Sequence, residues 1–427
     1  MAIPLIARPI AAGLLLASLT ASAAGPSPAP GRPAGPSPDS APATPARARQ
    51  EIVHPPTGHE ARLSPPALVV DRHGPLVAWT TSEGHDNVVY AGRPGGTPVR
   101  VSPSGQSADS LHQSPGLTGG PAGEIYVTWA ARRAAPDGGL FASDLQLARS
   151  LDGGASFDPP LRLHDDTPTS HSFEGLAVAP DGTVLVAWIE TRPGARPRTF
   201  LARVGDRGRR VDGVAVLDDD ETCVCCRISV AAAPPNTVGV LWRKVFPGDI
   251  RDMVLARSID GGRTVPPARR VHEDRWRISA CPHRGGSVAF DARGRAHAVW
   301  YTEGTRNVPD VLYAVAAEGT QFGAPQRVHT SSTSIPDHAR LAVRPDGRAV
   351  IVWEDATAVR RRVLVREASG ARLGATRVLS DAVKGYAPDI AIGPDGIPVV
   401  AWHEERFPRT ITMVMRLDAA APGGRTR

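Results

Sequence analysis

The chain has 427 residues, of which 41% are hydrophobic and 22% charged, and its formal net charge is +6. Basic residues outnumber acidic ones by only 49 to 43 and form no long run, which argues against nucleic acid as a ligand. No stretch approaches the roughly 18 consecutive apolar residues of a membrane-spanning helix, so we expect no membrane span in the mature chain.

The N-terminal residues 1–24 have the features of a cleaved export signal. Arg8 precedes a mostly apolar stretch from Ile10 to Leu19, and the small residues 21–23 suit a cleavage site. Residues 25–50 consist mainly of Pro, Ala, Gly and Ser, a composition that cannot bury a core and predicts a disordered linker. The sequence therefore predicts a periplasmic or secreted protein whose folded part spans residues 51–420.

Seven short β-like segments, each ending in a tryptophan, divide the rest of the chain into similar units. They recur every 49 to 59 residues, and their tryptophans are Trp79, Trp129, Trp188, Trp242, Trp300, Trp353 and Trp402. A turn such as the Pro-Asp-Gly sequence at 180–182 precedes most of them, and further β-like segments flank the turn and the tryptophan. Four short strands in about 50 residues, without helical periodicity, predict an all-β fold: a single β-propeller of four-stranded blades.

We count seven blades, with six as the alternative. The last unit ends after its third strand, and the segment from about Glu51 to Leu63 is available to supply the fourth. Pairing between the two ends of the chain would close the ring.

Two units share a second motif, S-x-D-x-G-x-[ST]-[FW], at the turn between their third and fourth strands. Residues 150–157 match it fully, and residues 258–265 match it apart from the final aromatic residue. The aspartate of this motif accepts hydrogen bonds from the turn, and the aromatic residue packs between sheets. We therefore assign a structural role to Ser150, Asp152, Gly154, Phe157, Ser258, Asp260 and Gly262.

All four cysteines lie in two short stretches, residues 222–227 and 280–283. Counted back from each repeat tryptophan, the seventeenth position holds His112, His171, Cys225 and His283 in units two to five. The nineteenth position holds Cys223 in unit four and Cys281 in unit five. Residues two apart in a strand face the same side, and the first strand of a propeller blade lines the central channel. These side chains are therefore predicted to meet at one mouth of the channel.

Thiolate and imidazole groups gathered at one point are ligands that Cu(I) and Zn(II) prefer. We therefore predict a metal site, copper or zinc, or else a site of redox-active thiols, and no organic cofactor. The predicted ligands are Cys223, Cys225, Cys226, Cys281, His283 and His171. Two alternatives stay open, because in an oxidising compartment the cysteines could form disulfides, or they could be buried and inert.

Other side chains near the cysteines are candidates for contact with a ligand at this face of the channel. Trp276, the one tryptophan outside the repeat, lies in the loop that leads to Cys281. The remaining candidates are His112, Arg227, Asp249, Arg251 and Asp252.

The tryptophan repeat and the two S-x-D-x-G motifs, called Asp boxes, resemble those of bacterial sialidase-like (BNR-repeat) propellers from Glu51 to Leu417. The Cys-x-Cys-Cys and Cys-Pro-His motifs resemble those of a subgroup of these proteins. The resemblance implies that a ligand lies on the face opposite the Asp boxes. It also implies an alternative function, glycoside hydrolysis or glycan binding. Sialidases hold a substrate carboxylate with three arginines and use a tyrosine nucleophile paired with a glutamate.

Tyr386 and Glu174 are the catalytic candidates under this alternative, but the Arg-Ile-Pro motif expected near the first blade is missing. We therefore expect an exported monomer that binds rather than catalyses. Its partner at the channel face is expected to be a metal ion, or else a glycan or another protein.

Overall fold

A computed structural model describes residues 49–52, 63–109, 111–133, 142–165, 170–380, 384–407 and 409–417. The predicted export signal at residues 1–24 and the linker up to residue 48 lie outside these residues. The described part of the chain contains no helix that is long and apolar enough to cross a membrane.

Seven antiparallel sheets form the blades of a β-propeller, as predicted. The first described strand is β1 (Arg49–Ile52). Blade 1 contains β2 (Ala67–Asp71), β3 (Gly74–Glu83), β4 (Asp86–Gly92) and β5 (Val99–Arg100). Blade 2 contains β6 (Gly116–Gly119), β7 (Ile125–Arg132), β8 (Ser143–Ser150) and β9 (Leu161–Arg162). Blade 3 contains β10 (Ser170–Val178), β11 (Val184–Thr191), β12 (Arg198–Gly205) and β13 (Arg210–Val216). Blade 4 contains β14 (Ser229–Ala233), β15 (Thr237–Phe246), β16 (Ile250–Ser258) and β17 (Arg269–Arg270).

The remaining three blades follow the same order along the chain. Blade 5 contains β18 (Gly286–Phe290), β19 (Ala296–Thr302), β20 (Asp310–Glu318) and β21 (Gln321–Phe322), with β22 (Gln326–Arg327) also paired to β20. Blade 6 contains β23 (Ile335–Val343), β24 (Arg348–Ala356), β25 (Arg361–Ser369) and β26 (Arg372–Val378). Blade 7 contains β27 (Gly385–Ile392), β28 (Pro398–Arg406), β29 (Arg409–Arg416) and, as its outermost strand, β1.

The two ends of the chain close the ring in blade 7. Strand β1 pairs antiparallel with β29, from Arg49 opposite Met415 to Ile52 opposite Thr412. The closing strand therefore begins two residues before the segment that the sequence suggested. The count of seven blades is confirmed, and the alternative of six is not.

The repeat tryptophans form the core between neighbouring blades. Each lies on the second strand of its blade, and none exposes more than 2% of its surface. Burying an aromatic side chain removes about 150–250 Å² from water, which contributes on the order of 4–6 kcal/mol. The regular spacing of tryptophan along the sequence is therefore the spacing of these inter-blade contacts.

Each Asp box closes a turn through its own side chains. In blade 2, Ser150 Oγ accepts from Gly154 N at 2.8 Å, and Asp152 accepts from Ser156 N at 3.0 Å. Burial alone would raise the pKa of Asp152, but the hydrogen bonds from Ser156 and Ser150 lower it to about 2. Arg93 Nη2 donates to Gly153 O at 2.8 Å, and this arginine also binds the β2–β3 turn of blade 1. The Asp boxes therefore lie on the face of the ring opposite the entrance to the inner strands.

A bulge interrupts the inner strand of blades 3, 6 and 7 at the same repeat position. Its central residues are Phe173, His338 and Ala387, each fifteen residues before the repeat tryptophan, with φ of 56°, 48° and 53°. A bulge turns the following side chains away from the regular alternation of the strand. In blade 6, Arg340 follows this bulge and lines the pocket at the mouth of the channel.

Candidate functional site

The loop that carries Cys223, Cys225 and Cys226 joins β13 to β14 and is fixed at both ends. Cys223 N donates to Arg243 O on β15 at 2.9 Å, and Ile228 N donates to Phe173 O in the bulge of blade 3 at 3.0 Å. A turn between them, with Cys226 N donating to Cys223 O at 3.4 Å, brings the three cysteines together. The loop is therefore attached to two blades at once.

The sulfur atoms of these three cysteines, which we call the cysteine trio, all lie within 4.8 Å of one another. Cys223 Sγ is 3.8 Å from Cys225 Sγ and 3.2 Å from Cys226 Sγ. A disulfide bond would require about 2.05 Å, so none of the four cysteines is in a disulfide in this structure. The trio is buried, with no more than 3% of any of the three residues exposed. Phe173 and Val245 pack against it.

Two arginines place positive charge beside the trio. Arg251 Nη1 donates to Cys223 Sγ at 3.2 Å. Arg243 is fully buried and donates to the carbonyl groups of Arg251, Arg284 and Tyr301, at 2.7 Å in the last case. Hydrogen bonds from the other two thiols, together with the charge of Arg243, hold the pKa of Cys223 far below its usual range. The trio therefore favours at least one thiolate.

The other predicted metal ligands lie apart from the trio. Cys281 and His283 are exposed and, among the described residues, are not members of the group of three sulfurs. His171 is fully buried, its ring stacks on that of His164 at 3.4 Å, and its Nδ1 is 2.8 Å from Ser143 O. His171 lies apart from the cysteines because the local backbone at this register position differs between blades 3 and 4. In blade 3 this register position is part of the inner strand, whereas in blade 4 it precedes the strand and lies in a loop.

The predicted contact residues divide into two sets. Asp252 is fully buried and accepts from Trp276 N at 3.3 Å, while the indole of Trp276 lies 4.8 Å from the Arg243 guanidinium. Asp249 O accepts from Ile278 N at 3.1 Å. These contacts attach the segment from Trp276 to Ile278 to the start of blade 4's third strand. Arg227, in contrast, faces the channel.

A pocket opens at the mouth of the central channel beside the trio. It has about 490 Å³ of empty space, including its open mouth, and six blades contribute to its wall. The side chains that line it include His112, Phe173, Arg227, His283, Arg284 and Arg340. Of the residues that the sequence suggested for this face, His112, Arg227 and His283 line the pocket.

Three arginines converge in this pocket. Arg227 Nη1 donates to Ser114 Oγ, Arg284 binds Asp337 at 3.1 Å, and Arg340 lies 3.7 Å from Asp389. Burial and the neighbouring charge of Arg227 lower the pKa of Arg340 to about 10.

Asp337 and Tyr301 line the pocket, whereas Glu174 and Glu303 are not among its lining residues. Glu174 is 2% exposed, and its Oε2 is buried without a hydrogen-bond partner among the described residues. Burial raises its pKa to about 7, although the nearby charge of Arg227 acts in the opposite direction. Tyr301 OH donates to Glu303, and burial raises the pKa of this tyrosine. Tyr386 contacts Arg361 and His403 instead, and it is not among the residues that line the pocket.

Sequence reasoning missed Arg284, Arg340 and Tyr301. The repeat register contained a signal for the pocket itself, although not for these three residues. The fifteenth position before each tryptophan, two residues beyond the one that was counted, holds Ser114, Phe173, Arg227, Gly285 and His338 in units two to six. All five of these residues line the pocket.

Comparison with known proteins places the chain by fold alone. No family model matches it, and no curated protein matches it. Solved structures do: a protein of unknown function from Dyadobacter fermentans is 16% identical over 75% of this chain and 98% of that one, with a TM-score of 0.52. An ulvan lyase of polysaccharide lyase family 25 is 11% identical over 80% of this chain and 89% of that one, with a TM-score of 0.54. Similar structures also include sialidases, among them NanB from Streptococcus pneumoniae, 8% identical over 80% and 83% of the two chains, TM-score 0.49.

Proposed function

We propose that this sialidase-like propeller is exported and binds a soft metal ion at the cysteine trio, copper(I) first and zinc as the alternative. Its role would be to bind, store or deliver the ion rather than to catalyse a reaction. The ligands would be the thiolates of Cys223, Cys225 and Cys226.

One observation carries this proposal: three buried sulfurs lie within 4.8 Å of one another, close enough to share one ion. Thiolates about 2.3 Å from one ion lie about 3.8–4.0 Å apart in tetrahedral or trigonal arrangements. The distance from Cys223 Sγ to Cys225 Sγ is 3.8 Å and matches this spacing, whereas Cys226 Sγ lies closer to Cys223 Sγ, at 3.2 Å. Thiolate-only donor sets favour soft ions such as Cu(I).

The charges around the trio support the same proposal. Three thiolates that hold a monovalent ion carry two net negative charges, and a buried charge needs a compensating partner. Arg251 and the buried Arg243 supply two positive charges beside the sulfurs. A cluster of neutral, inert thiols would not need these cations.

The test is elemental analysis and thiol titration of protein purified from the periplasm. We expect about one copper or zinc ion per chain in the wild type. The Cys223→Ser/Cys226→Ser variant should lose this metal, because two of three ligands are gone. Cys281→Ser is the matched control and should keep it, since Cys281 is exposed and lies outside the trio. Equal metal loss in Cys281→Ser, or a wild type with neither metal nor free thiols, would refute the proposal.

Recognition of an acidic glycan, with or without hydrolysis, is the second candidate function. The observation in its favour is the convergence of Arg227, Arg284 and Arg340 in one pocket, together with the Tyr301–Glu303 pair. Guanidinium groups bind carboxylates through paired, charge-assisted hydrogen bonds. Glu174, the acid candidate from the sequence, is buried beside Arg227 and is not among the residues that line this pocket, so the second candidate does not depend on it.

A fluorogenic sialoside assay tests this second candidate. If the pocket hydrolyses the substrate, Tyr301→Phe should lower kcat by about 100-fold or more, because the nucleophile is lost. Tyr386→Phe is the matched control and should leave kcat nearly unchanged, since Tyr386 lies outside the pocket lining. Equal losses of kcat in the two variants would contradict the assignment of Tyr301 as the nucleophile. A protein that neither hydrolyses nor binds the sialoside would contradict the second candidate function.

A further inference from the structure

Two histidines from opposite sides of the ring meet at the mouth of the pocket. His112 precedes β6 in blade 2, and His283 precedes β18 in blade 5. Their ring centroids are 5.8 Å apart with an interplanar angle of 42°, and both residues are exposed. No repeat contact of the propeller core requires this meeting, because the two blades are not neighbours in the ring.

The distance between the rings suits a shared metal ion. A ring nitrogen lies about 1.1 Å from its centroid and about 2.0–2.1 Å from a bound ion, so one ion between two imidazoles holds the centroids about 5 to 6.5 Å apart. The observed 5.8 Å lies within this range. Imidazole is a ligand for copper, zinc and nickel ions alike.

The backbone at His283 is also unusual. Its φ is +54°, a left-handed conformation that residues other than glycine seldom adopt. Such strained positions concentrate at functional sites, where the surrounding structure fixes them. Together with the short distance to His112, this conformation indicates that the His283 side chain is held at the pocket mouth for a functional reason, such as binding a ligand.

The charges nearby do not exclude a cation from this position. Arg284 is paired with Asp337, and Arg340 lies beside Asp389. Arg227 lies near Glu174, which is buried in the same region. The positive charge of the pocket is therefore partly compensated.

We propose that His112 and His283 form a second, outer metal site at the pocket mouth, through which a transition-metal ion reaches the cysteine trio. The trio is buried, so an ion needs an entry point. The ring of Phe173 lies 6.0 Å from the His283 ring and packs against the trio, so it separates the two sites by one side chain. The transfer step rests on the proposed function, whereas the outer site itself does not.

Binding of Zn(II) to the Cys223→Ser/Cys226→Ser variant, measured by calorimetry and by NMR of the histidine rings, tests the outer site without the trio. We expect one Zn(II) site, with the signals of His112 and His283 shifting together. Adding His112→Ala or His283→Ala to this variant should weaken binding on the order of tenfold or more, because one of two protein ligands is lost. His85→Ala is the matched control, since His85 is also exposed, and it should have no effect. No Zn(II) site, or an equal effect of His85→Ala, overturns the outer site.

The rate of metal loading tests the route in a chain with an intact trio. Stopped-flow absorbance of the thiolate–metal bands should show slower loading with Cu(I) in His283→Ala, with the final amount bound unchanged. An unchanged rate overturns the route. A trio that binds no metal, beside an outer site that does, would refute the proposed function and leave the outer site standing.

Discussion

Arg243 illustrates how a single residue connects the features of this site. It is fully buried, and its guanidinium donates to three backbone carbonyl groups, two of which belong to the pocket residues Arg284 and Tyr301. Its charge also helps to lower the pKa of Cys223. The same cation thus supports the backbone of the pocket and compensates the negative charge of the trio. A change at Arg243 would affect both, so it is a poor choice for separating the two proposed functions.

Glu174 is the residue for which a pH effect can be predicted with its sign. Its pKa is raised from 4.5 to about 7 in the folded chain, mainly by burial. A raised carboxyl pKa means that the folded state holds the proton more tightly than the unfolded state does. Below about pH 4.5, Glu174 therefore does not lower the free energy of unfolding. As the pH rises from there toward 7, the free energy of unfolding falls by about 3 kcal/mol in all.

Replacing Glu174 with Gln should remove this pH-dependent loss, because the amide stays neutral. In urea unfolding, we expect wild type and Glu174→Gln to differ little at pH 5 and the variant to be more stable by up to about 3 kcal/mol at pH 8. Two stability curves that run parallel from pH 5 to pH 8 would show that Glu174 titrates normally.

At the scale of the strands, the sequence determines the fold far better than the site. Tryptophan spacing and turn motifs predicted the seven blades because each reports a repeated local contact. The same count placed His171 and Cys225 at equivalent positions, yet one is in strand β10 and the other in a loop. Contacts between blades decide where a strand ends and where a bulge, such as the one at Phe173, turns it. The sequence of a single repeat does not contain these contacts.

The pocket was only partly predictable for a related reason. Arg227 directly follows the cysteines, so the sequence alone identified it as a candidate contact residue. Arg340 belongs to blade 6, and it enters the same pocket as Arg227 only in the folded ring. Such a convergence depends on the curvature of the whole ring. The register of the repeat can show which positions face the channel, as the fifteenth position does, but not which of them meet.

At the scale of the whole molecule, the stability of the ring depends on how blade 7 joins the two ends of the chain. The pairing of β1 with β29 joins the ends of the chain, and the hydrophobic cluster around Ile52 contains Leu68 and Trp79 from blade 1 as well as Val399 and Val414 from blade 7. Ile52 is thus a contact between the first blade and the last.

The substitution Ile52→Ala tests how strongly this closure stabilises the ring. Ile52 is 0% exposed, and removing three buried carbon atoms should lower the free energy of unfolding by about 2–5 kcal/mol. Ile259→Ala makes the same chemical change at a side chain that is 75% exposed, so its effect should stay within about 0.5 kcal/mol. The midpoints of urea unfolding measure both. Because Ile52 joins the two ends, we expect one cooperative transition at lower urea concentration. A separate early transition would instead mean that blade 7 opens while the other six blades remain folded.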